Sequence, residues 1–396
     1  MDWTIKLILI NKYIERLKSI RKMERQMENK LKIAIGADSH IGNGYEQQDD
    51  MCIMSLKNID CTIIGVADGH GLYTGKLAAN ACTLGIKEFV NDNKELLVDN
   101  TQLFIENCFE FIHNRVRDVF ATKYYREYPD VIKDENGRIL YRSSHYQEYK
   151  NVNGGAMLTL IILIQGVLYV SNVGDCKAIL CYNDRVRVLT HNHSPDNPSE
   201  YIRINNNQGA TSASEYIKIK NNKSATSELL FVYDEISKSN KYECESIYEI
   251  KEDDGVPQIR ENVKYYYKSV SKDRATYVTT PKHHPYMDML ASTRAIGNFN
   301  LNEFGVVWKP EITILDLRSE TDRGTRCLVV ASDGIWDNIV DDSMRKIIMN
   351  ESCLKMVNED RGVPRIARSV VNRISQIAQK NFPNQADNMI CVIMYL

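Results

Sequence analysis

The chain has 396 residues, of which 43% are hydrophobic and 26% charged, with a net charge of −2 and a sequence pI near 6.5. That balance is ordinary for a soluble globular protein and allows one large domain or two small ones. A net charge this close to zero supplies no global field for nucleic acid, so no nucleic-acid partner is expected. The 10 cysteines form no Cys-x-x-Cys pair, and most lie in apolar runs, which points to reduced thiols and not to a disulfide framework or structural zinc.

In chain order, the first segment is IKLILI at 5–10, too short for a membrane span and without the cleavage site of a signal peptide. The expected compartment is therefore cytoplasmic or nuclear. From Ile10 through Tyr13, Ile14, Leu17 and Ile20 to Leu31, apolar residues recur at three- and four-residue steps. They predict an amphipathic N-terminal helix over 1–31 whose other face carries Lys12, Arg16, Lys18, Arg21 and Arg25. A partner helix, or an anionic membrane surface, would suit it.

At Lys32 the pattern changes to short strands: KIAIGA, DMCIMSL and CTIIGVA. Helices are predicted at about 75–91 and 101–122, the second capped by Asn100-Thr101. AMLTLIILI, VLYVSNVG and CKAILCY are further strands, separated by the turn residues Gln165-Gly166 and Asn183-Asp184. Between about 205 and 286 the chain is polar, rich in Asn, Lys and Ser and weakly periodic, which predicts a long insertion and not a separate domain. A last helix at about 362–380 leads to the strand MICVIMYL. Runs of strands beside runs of helices, without strict alternation, indicate an α+β layered fold.

Two apolar runs end alike. TIIGVADGHG, at 62–71, closes on Asp68, Gly69, His70 and Gly71, and LVVASDGIWD, at 328–337, passes into Ser332, Asp333 and Gly334. Asp387-Asn388 flanks the final strand. Strand ends deliver side chains to one rim of a sheet, so these carboxylates can converge there. Clustered carboxylates repel one another unless a cation lies between them, and oxygen ligands favour magnesium, manganese or calcium over zinc. A glycine beside each Asp lets the backbone approach, so that a carbonyl can also serve as a ligand.

The motifs carry a resemblance. GVADGHG resembles the Asp-Gly-His-Gly signature of the metal-dependent, type 2C serine/threonine protein phosphatases. SNVGDCKAIL, LASTRAIGNF, LVVASDGIWDNIV and ADNMICVIM are similar to later motifs of that family, in the family's order, while QQDDMCI and LTHNHSPD resemble two more. The resemblance covers about 34–204 and 288–396. It implies a four-layer α-β-β-α sandwich of two mainly antiparallel sheets flanked by helices, with the phosphatase-like domain spanning 32–396.

It further implies two Mg2+ or Mn2+ ions. Asp68 would bridge them, the carbonyl of Gly69 would ligate one, Asp333 and Asp387 would complete the other's shell, and Asp49 would hold waters. Asp175 would ligate a third, weaker ion, and His70 would be the general acid. The implied activity is hydrolysis of phosphoserine and phosphothreonine in phosphoprotein substrates by a metal-activated water, from a monomer. The alternative is a pseudophosphatase that binds without turnover. Three departures from the family bear on substrate binding. No base stands among Gly42, Asn43, Gly44, Tyr45 and Glu46, where an Arg usually grips phosphate, the Gly-Ser-Thr-Ala stretch reads Gly154 to Met157, and Arg-Ala-Ile-Gly-Asp ends in Asn298. Lys76 and Arg142 are candidates to replace the missing base.

Overall fold

The structure is a computed structural model that describes residues 33–144, 148–195, 197–205, 229–231, 248–250, 257–259, 276–280, 284–286, 288–320 and 324–396. The helix expected over 1–31 and most of the insertion at 205–286 lie outside the described residues.

Two antiparallel sheets stack at the centre. The first contains β1 (Ala34–His40), β6 (Lys177–Cys181), β7 (Val186–Val188), β9 (Cys327–Ala331) and β10 (Met389–Tyr395), in the order β1-β10-β9-β6-β7. The second contains β2 (Asp50–Leu56), β3 (Cys61–His70), β4 (Gly155–Ile164), β5 (Val167–Val173) and β8 (Glu311–Asp316), in the order β8-β5-β4-β3-β2. Ile296–Gly297 adds a short sixth strand against the start of β4. Each sheet's outer face carries helices: α1 (Gly75–Asp92) and α2 (Thr101–Glu127) on the second, α3 (Gly362–Asn381) on the first.

The central strands are apolar on both sides because both sides are covered. In β3, Ile64 and Val66 point to the inter-sheet core, where they join Ile161, Leu180, Leu328, Val330 and Val392. Their neighbour Ile63 faces the helices, with Ile86, Phe104, Phe109 and Ile112. Val329, Cys391 and Ile393 meet Ile366, Val370 and Ile374 of α3 on the far side. The result is the α-β-β-α sandwich of an α+β protein.

Small side chains let α1 lie close to its sheet. A Cβ at Gly65 would strike Ile86 and Cys52, and Ala78, Ala79 and Ala81 are buried on the same helix. Asn100 caps α2 by accepting from the Leu103 amide at 3.0 Å. Inside the insertion, the described residues include strands the polar composition did not foretell. Leu229–Phe231 pairs with Thr276–Thr279, which pairs with Met289–Leu290, and Val278 is buried in the inter-sheet core. The described cysteines are free thiols, all buried except half-buried Cys353. Among the described residues, no helix is long and apolar enough to cross a membrane.

Candidate metal centre

β3 ends in the site. Its last residues, Asp68, Gly69 and His70, pair with Met157, Ala156 and Gly155 of β4 and so leave the sheet in a fixed register. Gly69 is required where it stands, because a Cβ there would collide with the carbonyls of Gly75 and Gln48. That close approach brings the first turn of α1 and the segment before β2 against the strand end.

The second corner comes from β9. Ser332 follows it in an extended conformation and Asp333 opens a one-turn helix, Asp333–Trp336. The buried Ser332 hydroxyl accepts from the Ile390 amide at 3.0 Å, which ties this corner to β10 beside Asp387. Carboxylate oxygens of Asp68, Asp175 and Asp333 lie within 4.8 Å of one another.

Asp49 and Asp387 complete the group electrostatically. Burial raises the Asp68 carboxyl well above its ordinary range, and the charges of Asp49, Asp333, Asp387 and Asp175 add to that. Burial also raises Asp49, against a hydrogen bond with Ser332, and with Asp333 and Asp387 leaves it pushed up to about 8. Buried Oδ2 of Asp49 has no hydrogen-bond partner. Asp50 next to it is bound instead to the Thr83 hydroxyl of α1, so only one acid of this adjacent pair belongs to the site.

His70 offers Nε2 to Asn298 Oδ1 at 2.7 Å, while its buried Nδ1 has no hydrogen-bond partner. An amide oxygen can only accept, so the contact places the ring hydrogen of neutral His70 on Nε2. Burial lowers the His70 pKa, opposed by that hydrogen bond and by the charges of Asp175 and Asp333. Asn298 itself adopts φ +48°, in the left-handed region that Asn enters more readily than most residues.

Asn388 acts beside Asp387. Its side chain donates to the Ile41 carbonyl at 2.7 Å and accepts from the Gln48 amide at 2.6 Å, pinning the loop that carries Gly44 and Asp49. Behind Asp175, the Gly174 amide donates to His193 Nδ1 at 3.1 Å, and His193 Nε2 meets Glu311 at 3.2 Å. Lys76 pairs with Glu46 at 3.4 Å, and Arg142 pairs with Asp130 at 2.5 Å. Sequence reading missed the positioning roles of Asn298, Ser332 and Asn388. The first stood out only as a departure from the motif.

A family model for protein phosphatase 2C matches residues 50–226 and 279–375, well over half of the chain. The chain belongs to the protein phosphatase 2C family. It is 23% identical over 247 residues to "Probable protein phosphatase 2C 24" of Arabidopsis thaliana, covering 61% of this chain and 47% of that one. With "Probable protein phosphatase 2C 52" of the same plant the identity is 33% over 115 residues, 28% of this chain and 22% of that one. The chain thus covers under half the length of these two curated relatives. Among solved structures, serine-threonine phosphatase 2C from Toxoplasma gondii matches with a TM-score of 0.52 at 14% identity, covering 92% of this chain and 94% of that one. A C. elegans sex-determining protein matches with a TM-score of 0.54 at 14% identity, covering 92% and 65%. These likenesses show the fold: this protein phosphatase 2C chain has the architecture of its family.

Proposed function

We propose that this chain is a metal-dependent protein serine/threonine phosphatase. The observation that carries the reading is the group of five mutually repelling carboxylates, Asp49, Asp68, Asp175, Asp333 and Asp387, beside a partly buried imidazole. Their chemistry fits Mg2+ or Mn2+: hard oxygen donors, partly desolvated, one of them with an orphaned buried oxygen. Asp68 and the Gly69 carbonyl would be shared or adjacent ligands, Asp333 and Asp387 would hold one ion, Asp49 would act through waters, and Asp175 would hold a third ion. Bound cations would supply an acidified water and neutralise charge on the phosphoryl oxygens.

The chain's own residues do the rest. Asn298 accepts the Nε2 hydrogen and fixes the His70 ring, leaving Nδ1 as the nitrogen that, in the imidazolium form, would carry the proton for the departing serine or threonine oxygen. Asn388 and Ser332 hold the segments that carry Asp49, Asp333 and Asp387 in register. The substrates follow from the family: phosphoproteins.

The direct test is phosphate release from a phosphothreonine peptide. Release should require Mn2+ or Mg2+, stop in EDTA, and be lost in Asp333→Ala. Undiminished release by Asp333→Ala would overturn the ligand assignment. Gly44 favours a second reading, a binding module without turnover. A wild-type chain that binds Mn2+ yet releases no phosphate would establish it.

A further inference from the structure

The residues that follow His70 do not turn inward. Leu72 is 77% exposed, Tyr73 is 70% exposed, and Tyr45 on the neighbouring loop is fully exposed. Single exposed apolar residues are common, but three at the mouth of one site are a grouping to explain.

Their backbone is held firmly. The Thr74 and Gly75 amides both donate to the Gly71 carbonyl, at 3.3 and 3.0 Å. The Thr74 hydroxyl donates to the Asn153 carbonyl at 2.6 Å, and Lys123 donates to the Tyr73 carbonyl at 2.8 Å. Two links join this turn to the loop bearing Tyr45: Gln48 Nε2 donates to the Gly71 carbonyl at 3.1 Å, and Lys76 pairs with Glu46 at 3.4 Å. The exposed side chains therefore stand on a braced frame.

We propose that Tyr45, Leu72 and Tyr73 form a docking platform for the apolar side chains that flank the phosphorylated residue of a phosphopeptide. The proposal rests on the phosphatase reading for the position of the phosphate. Leu72 and Tyr73 follow His70 by two and three residues, and an extended peptide advances about 3.3–3.6 Å per residue. A substrate whose leaving oxygen meets His70 can therefore bring its nearest neighbours within reach of these side chains. The cations beside the turn are already engaged, Lys76 by Glu46 and Lys123 by the Tyr73 carbonyl, so the frame favours apolar flanks over acidic ones. Rigid aromatic and aliphatic side chains make effective anchors because little rotamer freedom remains to be lost.

The test uses two labelled peptides carrying a non-hydrolysable phosphonate analogue of phosphothreonine, identical except for Leu and Phe or Ser at the flanking positions. Anisotropy titrations in Mn2+ should show the apolar-flanked peptide binding about tenfold more tightly. The ratio should fall to about unity in a Leu72→Ser, Tyr73→Ser double variant that melts like wild type, and should fall partway in Tyr45→Ser on the other loop. Equal binding of both peptides to wild type, or a ratio that survives in the variants, overturns the platform. Phosphate release from the hydrolysable counterparts separates the two ideas. Preference without release keeps the platform and removes the phosphatase reading, and release without preference does the reverse.

Discussion

Gly44 is the residue at which the chain departs most from what phosphate binding would ask. The motif resemblance sets an Arg in the 42–46 stretch, and the structure shows what a side chain added at 44 would meet. A Cβ would lie 3.0 Å from Asn388 Nδ2, 3.2 Å from the Glu46 carbonyl oxygen and 3.4 Å from that of Ile41. Those neighbours would have to yield only a few tenths of an ångström, and residue 44 is exposed. A charge-assisted hydrogen bond is worth about 1.5–3 kcal/mol, and each 1.36 kcal/mol is about tenfold in rate. Gly44→Arg should therefore raise kcat/KM on a phosphothreonine peptide roughly ten- to a hundredfold. An unchanged kcat/KM in a variant with wild-type melting would mean that a side chain at 44 does not reach the phosphate. His70 and Asn298 teach the complementary lesson. His70 stood out in Asp-Gly-His-Gly, but its partner did not, since the contact joins residues 228 apart and depends on a left-handed backbone at 298.

Among the elements, the helix Pro198–Asn205 is fastened to the chain ahead of Asn298 by a buried ionic group. Glu200, 3% exposed, meets Arg294 at 2.6 Å and Arg203 at 2.9 Å, and accepts from the Thr293 hydroxyl at 2.6 Å. Burial alone would raise the Glu200 carboxyl, but Arg294, Arg203 and Thr293 outweigh it and hold the pKa at about 2. A carboxylate whose folded pKa is depressed stabilises the fold fully above its unfolded value, near 4.5, and loses that contribution as pH falls toward about 2. Glu200→Gln should thus destabilise the protein by about 3 kcal/mol at neutral pH. Urea unfolding should show the difference between wild type and variant shrinking as pH falls below 4.5. A difference that is constant with pH would show that the charge is not what holds this helix. Periodicity made the long elements legible: the strand TIIGVA, the cap at Asn100 and the last helix all stand where apolar spacing set them. It failed for Thr276–Thr279 because a four-residue strand, anchored in the core by Val278, leaves too little pattern inside a polar stretch.

For the whole molecule, the fold is a device for bringing like charges together. β3 and β9 come from different sheets, yet Asp68 lies near the end of one and Asp333 just past the end of the other, and β10 begins beside a third aspartate, so stacking the sheets forces the carboxylates into one place. The repeated strand-Asp-Gly pattern made that convergence readable. The braces that enforce it, Ser332 to Ile390 and Asn388 to Ile41 and Gln48, were not readable, because ordinary polar residues carry no mark of a partner 58, 347 or 340 positions away. The central claim, that this cluster is built for divalent cations, is tested most directly by thermal melting of wild type and Asp68→Asn, each in EDTA and in saturating Mn2+. At a free concentration of 100 times the dissociation constant, a bound ion adds about 2.7 kcal/mol. Wild type should melt clearly higher in Mn2+ than in EDTA. Asp68→Asn should melt above wild type in EDTA, since it removes one of the repelling charges, and should lose most of the gain from Mn2+. Equal melting of wild type in EDTA and Mn2+ would contradict the claim.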